Sequence, residues 1–262
     1  MWRHHWLALS VLGGVVLLVL FAPVIAPIDP MLTDEDAQSL PPGQTWTHPL
    51  GTDRFGRDVL SRALYGGQHT LGIAIGATVV AVAGGLALGL CSGAGRWADV
   101  IVTTLVNALL AIPGLLVAFV VVTLLGQGGV ALLLATGFAQ VAPYARVVRG
   151  AMLTAQTAVY VEAAEALGAT RGRMLLRHVL PNVATTLLAY GGAVFSYCIL
   201  NSAALSFLGL GAAPGAPDWG VMLADGRAGF RTVWWVSLVP GVLITMTVWA
   251  INRLSDTAAV RD

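Results

Sequence analysis

An all-α membrane fold with six transmembrane helices is the fold class that this sequence predicts, on the basis of its composition and its apolar runs. The 262 residues are 57% hydrophobic and only 10% charged, with a mean hydropathy of +0.80. Such values lie outside the range of soluble globular domains. A helix needs roughly 20 apolar residues to cross a bilayer. Runs of suitable length occur at 6–28, 70–92, 100–125, 130–148, 183–208 and 233–251.

The first run resembles a signal peptide, because Arg3 precedes it and small residues follow. It is longer than the usual apolar part of a signal, and five more runs come after it, so we expect a retained helix. The predicted organisation is a first transmembrane helix at 1–28, an extracytoplasmic loop at 29–69, a five-helix core at 70–252 and a cytoplasmic tail at 253–262. Within that core, a loop at 149–183 separates the fourth and fifth helices.

Arginine placement predicts the orientation, because basic residues are retained on the cytoplasmic side of short loops. With the amino terminus inside, the inner segments contain the larger share of the arginines. These are Arg3, Arg96, Arg146, Arg149, Arg171, Arg173, Arg177, Arg253 and Arg261, against Arg54, Arg57, Arg62, Arg227 and Arg231 outside. Both termini and the loop at 149–183 are therefore predicted to be cytoplasmic.

That inner loop has the pattern of a polar helix, a tight turn and a second helix. Residues 162–167 are strong helix formers, and Gly168 suits the left-handed residue that ends a helix. Thr170 can cap a second helix that runs to Leu180, and Pro181 then interrupts the pattern before the next apolar run. Such a loop between apolar helices is typical of a contact with a partner protein.

The motifs of this loop resemble those of the permease subunits of ATP-binding-cassette importers. Glu162-Ala163-Ala164, three residues, Gly168 and then Leu180-Pro181 match the signature of their cytoplasmic coupling loop. Further blocks resemble the second permease of dipeptide, oligopeptide and nickel importers. They are 48–53, 56–58 with 61–62, 206–211 and 219–223.

The resemblance implies a type I importer permease fold that forms half of a translocation pore in a bacterial inner membrane. It implies a paralogous permease, two ATPase subunits that bind ATP and Mg²⁺, and an extracytoplasmic binding protein, and it implies no nucleic acid. Short peptides are the first expectation for cargo, and nickel or a metal chelate is the alternative. The residues implied to couple to the ATPases are Glu162, Ala163, Ala164, Gly168, Arg171, Arg173, Arg177, His178, Leu180 and Pro181.

Missing residue types exclude several other functions. The chain contains no lysine, so it lacks the lysine of a phosphate-binding loop and is not expected to be an ATPase or another enzyme. No Asp, Glu or Lys falls inside the six runs, which disfavours an ion-coupled secondary carrier, the remaining alternative. The five histidines have no metal-ligand spacing. We therefore predict no catalytic residue, metal site or cofactor on this chain.

Two further groups of residues are candidates for contact and transport. A charged cluster in the outer loop is predicted to contact the partner permease or the binding protein, the alternative being a solvated surface cluster. It comprises Asp53, Arg54, Arg57, Asp58 and Arg62. Polar residues in apolar runs are possible pore-lining groups, the alternative being hydrogen bonds between helices. They are Asn107, Tyr197, Asn201 and Ser202, while Pro113 predicts a kink in the third run.

We predict that Gly168→Val lowers uptake by the assembled transporter. A β-branched side chain in a left-handed turn costs on the order of 1 to 2 kcal/mol and distorts the junction of the two helices. Substrate-stimulated ATPase activity and uptake, measured on the reconstituted complex, report the coupling. Wild-type values of both would contradict the assignment of this turn.

Overall fold

The computed structural model describes residues 2–26, 28–93, 95–156, 170–174, 177 and 179–259. Apart from one short 3-10 helix, Glu35–Ala37, and π-helical residues at Arg177 and Val179, the regular elements of this part of the chain are α-helices. In chain order they are α1 Trp2–Leu20, α2 Ala22–Ile25, α3 Val59–Ser92, α4 Arg96–Leu110, α5 Gly114–Leu125, α6 Gly129–Gln156, α7 Arg171–Met174, α8 Leu180–Phe207, α9 Trp219–Arg227 and α10 Trp235–Ala259. The all-α prediction is confirmed.

Four of these helices, α3, α6, α8 and α10, are long and apolar enough to cross a membrane. The pair α4 and α5 passes the same test together, although the two helices meet at an angle of 89°, which gives a total of up to five spans. The first predicted run differs from expectation: its long apolar helix stops at Leu20, and Phe21 separates it from the short α2. Pro23 lies in the first turn of α2, where a missing N–H is tolerated.

The predicted kink at Pro113 is confirmed and is a complete break. Helix α4 ends at Leu110, and α5 begins at Gly114 with Pro113 in an extended conformation as its N-cap residue. Since proline has no N–H and disfavours a helical residue before it, the helix cannot run through this point.

Helix α3 begins earlier than the apolar run predicts. The Asp58 carboxylate caps it by accepting hydrogen bonds from the Ser61 amide and hydroxyl, both at 2.7 Å. The helix therefore begins at Val59, inside the segment 29–69 that the sequence assigns to the outer loop. The first turns of α3 contain polar residues that read as a loop in the sequence, but Ser61 and Arg62 are buried and partnered.

Helices α3 and α6 pack closely because small residues separate them. A side chain at Gly85 would collide with Tyr144 and Ala145, and one at Gly89 would collide with Val148. Helix α10 packs on α8 and α1, and α9 packs on α10 and α8. The outer loop 29–58 is folded and is tied to α10, since the Trp235 indole donates a hydrogen bond of 2.9 Å to the Thr52 carbonyl.

Candidate functional site

The predicted coupling segment lies partly outside the described residues. Glu162, Ala163, Ala164, Gly168 and His178 all belong to that part of the chain. The described portion contains Thr170, helix α7, Arg177 and the beginning of α8. It separates into an apolar anchor and an exposed basic surface.

The anchor consists of Met174 and Val179, which are buried in the same hydrophobic core as Met152 and Val183. The Arg173 and Arg177 side chains, by contrast, are exposed. Packing thus fixes the segment against the bundle and leaves its basic side chains free to meet another molecule. Among the described residues, this is the arrangement expected of a docking element.

The structure corrects the interpretation of Pro181. This residue does not interrupt a helix but occupies the second position of α8, which begins at Leu180. Proline suits the first turn because the N–H groups there have no intrahelical acceptor in any case.

The predicted pore-lining residues differ in burial. Ser202 is buried, and its hydroxyl donates a 3.0 Å hydrogen bond to the Ile199 carbonyl of its own helix, so the pore-lining assignment is wrong for this residue. Asn201 is half-buried. Asn107 is exposed and accepts a 3.1 Å hydrogen bond from Arg146 of α6. Tyr197 is 54% exposed and lines a cavity.

This cavity, of about 320 Å³, is called the elbow cavity here because it lies at the break between α4 and α5. Helices α6 and α8 form its other walls. Its lining includes Pro113, Gly114, Gln140, Pro143, Tyr190 and Tyr197.

A bidentate ion pair joins the first turn of α4 to α6. Arg149 Nε lies 2.6 Å from Asp99 Oδ1, and its second nitrogen lies 2.8 Å from Oδ2. Together with the bond between Arg146 and Asn107, this pair holds α4 on α6 from Asp99 to the last turn before the break. Sequence reasoning missed Asp99, although an acid in the first turn of a helix is a recognisable signal.

Asp53 and Arg57 of the outer loop form a largely buried network with Arg62 of α3 and Asp225 of α9, called the charge cluster here. Arg57 Nε donates to Asp53 Oδ2 at 2.6 Å. Both arginines donate to Asp225 Oδ2, at 3.0 and 3.2 Å, and both donate to the Gly215 carbonyl, at 3.1 and 2.8 Å. Two positive and two negative side chains balance one another, and they join the outer loop and α3 to α9.

The contact predicted for these loop residues therefore needs correction. Asp53, Arg57, Asp58 and Arg62 are at most 6% exposed, and Arg54 alone of the five predicted residues is exposed. Asp58 is held by His48, whose Nδ1 lies 3.1 Å from Oδ1. The alternative of a solvated surface cluster is equally wrong, because the charges face each other inside the chain.

A second buried acid, Asp218, joins α9 to α3. Its Oδ1 accepts from the Gly220 and Val221 amides and caps α9, while its Oδ2 lies 3.0 Å from the Thr70 hydroxyl and 3.1 Å from His69 Nδ1. Burial opposes ionisation, but hydrogen bonds from His69, Val221 and Thr70 outweigh it, so the pKa of Asp218 lies below its usual value. Asp218 is therefore a carboxylate at neutral pH.

Comparison with known proteins places this architecture in a family. The family model described as "Binding-protein-dependent transport system inner membrane component" matches residues 81–260. The chain is also 37% identical, over 92% of its length and 82% of the relative's, to the di/tripeptide transport system permease protein DppC of Pseudomonas aeruginosa. This chain belongs to the family of binding-protein-dependent transport system inner membrane components. Its resemblance to importer permeases is confirmed.

Further relatives and solved structures agree with this membership. The permease is 34% identical to the glutathione transport system permease protein GsiD of Pectobacterium atrosepticum, over 97% of this chain and 88% of that protein. It superposes on a chain of the MetNI methionine ABC transporter with a TM-score of 0.61 at 20% identity, covering 75% of this chain and 96% of the other. The type I importer permease fold is thereby confirmed.

Sequence reasoning missed several residues that hold this permease together. These are Asp225, Gly215 and Asp218. They are distant in sequence from their partners, so no local sequence pattern indicates the contacts. For the two aspartates, the one signal is the presence of acids in a chain that is only 10% charged.

We predict that Asp225→Asn destabilises the permease, because it leaves two buried arginines facing one aspartate. Removing one partner of a buried ion pair costs on the order of 3 kcal/mol. Thermal unfolding of the purified subunit in detergent should show a clear decrease in Tm. Asp256→Asn, an exposed acid on α10, is the matched control and should leave Tm unchanged.

The double variant Asp225→Asn with Arg57→Gln should recover part of this loss, since one arginine then faces one aspartate. Additive losses in the two single variants would show that the four charges do not act as a unit.

Proposed function

We propose that this chain is the transmembrane permease subunit of an ATP-driven importer and forms half of a translocation pore for short peptides. The observation that carries the proposal is the 37% identity over nearly the whole chain to a permease named for di- and tripeptides. Two other relatives, of Alkalihalophilus pseudofirmus and Pectobacterium atrosepticum, are named for dipeptide and glutathione transport. Glutathione is itself a short peptide. Nickel or a metal chelate, the alternative cargo, is not favoured by these names.

Energy for import comes, in this proposal, from two partner ATPase subunits that bind ATP and Mg²⁺. The segment from Glu162 to Pro181 docks on them. Its exposed Arg173 and Arg177 and its buried Met174 and Val179 support this assignment, because a coupling element must be firmly anchored and still accessible. ATP binding would close the ATPase pair and switch the pore between inward-facing and outward-facing states.

The remaining partners are a paralogous permease that completes the pore and an extracytoplasmic binding protein that delivers the peptide. The outer loop 29–58 would face the binding protein. Exposed residues of that loop, including Arg54 and the fully exposed Trp46, are the candidates for this contact. The complex would reside in a bacterial inner membrane, with both termini of this chain in the cytoplasm.

We predict that cysteines introduced at Thr45 and Thr170 react with an impermeant thiol reagent from opposite sides of the membrane. Neither residue is buried, and the arginine distribution places the two on different sides. The exposed Cys91 is first replaced by Ser, and Cys198 is buried. Labelling of both positions from one side would contradict the proposed topology.

We also predict that this subunit alone, in liposomes, shows neither nucleotide-dependent nor gradient-driven uptake. Co-reconstitution with its permease partner, ATPases and binding protein should give ATP-dependent import of a radiolabelled dipeptide or tripeptide. Gradient-driven accumulation by the lone subunit would indicate a secondary carrier. Import of a nickel complex but of no peptide by the full assembly would refute the proposed cargo.

A further inference from the structure

The break between α4 and α5 leaves backbone donors without intrahelical partners. The Leu116 and Val117 amides donate to the Pro113 carbonyl, at 2.9 and 3.2 Å. Within the part of the chain that the structure describes, the Gly114 and Leu115 amides donate to no carbonyl and no side chain. Unpaired amides at a helix start carry the positive end of the helix dipole. Gly114 itself lines the elbow cavity.

A polar side chain on α6 gives an independent sign that this cavity receives a ligand. Gln140 lines the cavity and is only 7% exposed. No described residue forms a hydrogen bond with its side-chain amide, and the amide atoms are not among the fully enclosed polar atoms, so they are accessible from the cavity. Gln140 and Gly114, the first residue of α5, therefore line the same space.

The electrostatic character of the cavity favours an anion. Its lining contains no Asp or Glu among the described residues, while the Tyr190 and Tyr197 rings contribute to its wall. Arg146, on α6, interacts electrostatically with Tyr190. The helix dipole, the hydroxyl groups and the nearby guanidinium thus all favour a negatively charged ligand. In this region a negative charge is otherwise costly.

We propose that the elbow cavity binds the terminal carboxylate of a peptide during its passage through the pore. The proposal rests on the function proposed above and names the part of the cargo that this chain recognises. A volume of about 320 Å³ is near the lower end of ligand pockets and suits one end of a peptide rather than its whole length. The start of a half-helix at a break is a common place for anionic substrate groups in membrane transporters.

Gly114 permits a test that removes one donor without removing the helix. Gly114→Pro deletes the amide N–H, and proline suits the first helical position. Pro113, with φ −53° and ψ 129°, already has the extended conformation that a following proline requires. Gly114→Ala is the matched control: it keeps the N–H, and its methyl group would approach no atom of Ala139 closer than 3.9 Å. Gln140→Leu removes the second polar group at nearly constant volume.

The experiment measures peptide import per ATP hydrolysed by the complete transporter in proteoliposomes. A radiolabelled tripeptide and its carboxamide are each presented at a concentration that saturates the binding protein. We expect the wild-type complex to import the free acid several-fold faster than the carboxamide. Gly114→Pro and Gln140→Leu should lower import of the free acid more than import of the carboxamide and so reduce this preference, while stimulation of ATPase activity by the binding protein shows that the complex is assembled. Gly114→Ala should resemble wild type.

Equal import of the two peptides by the wild-type complex would overturn the proposal. A wild-type preference in Gly114→Pro and Gln140→Leu would also overturn it, as would equal losses in Gly114→Pro and Gly114→Ala. If the Gly114→Pro complex fails to assemble, the ratio of free-acid to carboxamide import by the Gln140→Leu complex tests the proposal. A wild-type complex that imports neither peptide refutes the proposed function itself, which distinguishes that failure from failure of the carboxylate site.

Discussion

A constraint on buried polar groups organises this protein: a charge removed from water must meet an opposite charge or a hydrogen-bond donor inside the same structure. The charge cluster satisfies it with two arginines, two aspartates and the Gly215 carbonyl. Because its members come from the outer loop, α3 and α9, satisfying the charges also fixes the relative positions of these three elements. Asp218 does the same for α9 and α3 through Thr70 and His69. Few charges are present, and those of the charge cluster and Asp218 each hold two segments together.

The same constraint explains which features were predictable. Apolar runs located the long helices because hydropathy is a local property, and Pro113 marked the break because its effect on the backbone is local too. The beginning of α3 was missed since Ser61 and Arg62 read as loop residues, and only their partners make them compatible with burial. Those partners include Asp225, which is 163 positions away from Arg62 in the chain. No window of sequence contains both.

Two prolines of this chain occupy different positions relative to the helices beside them. Pro113 separates two helices, whereas Pro181 lies in the first turn of one. The sequence around each predicts an interruption, and only the conformation of the flanking residues decides on which side of the proline a helix lies. For the candidate pore residues, the sequence identified polar groups in apolar runs correctly. It did not reveal that Ser202 would bond within its own helix or that Tyr197 and Gln140 would face one cavity.

The length of α3 gives the fold a mechanical property. A helix of 34 residues is about 51 Å long, compared with ~30 Å for the hydrocarbon core of a bilayer. It is held at its beginning by the charge cluster and along its later turns by close packing of Gly85 and Gly89 against α6. A continuous helix resists bending more than a loop does, so α3 behaves as a strut. A displacement of α6 near Val148 is therefore carried to the outer loop as a movement of the whole strut.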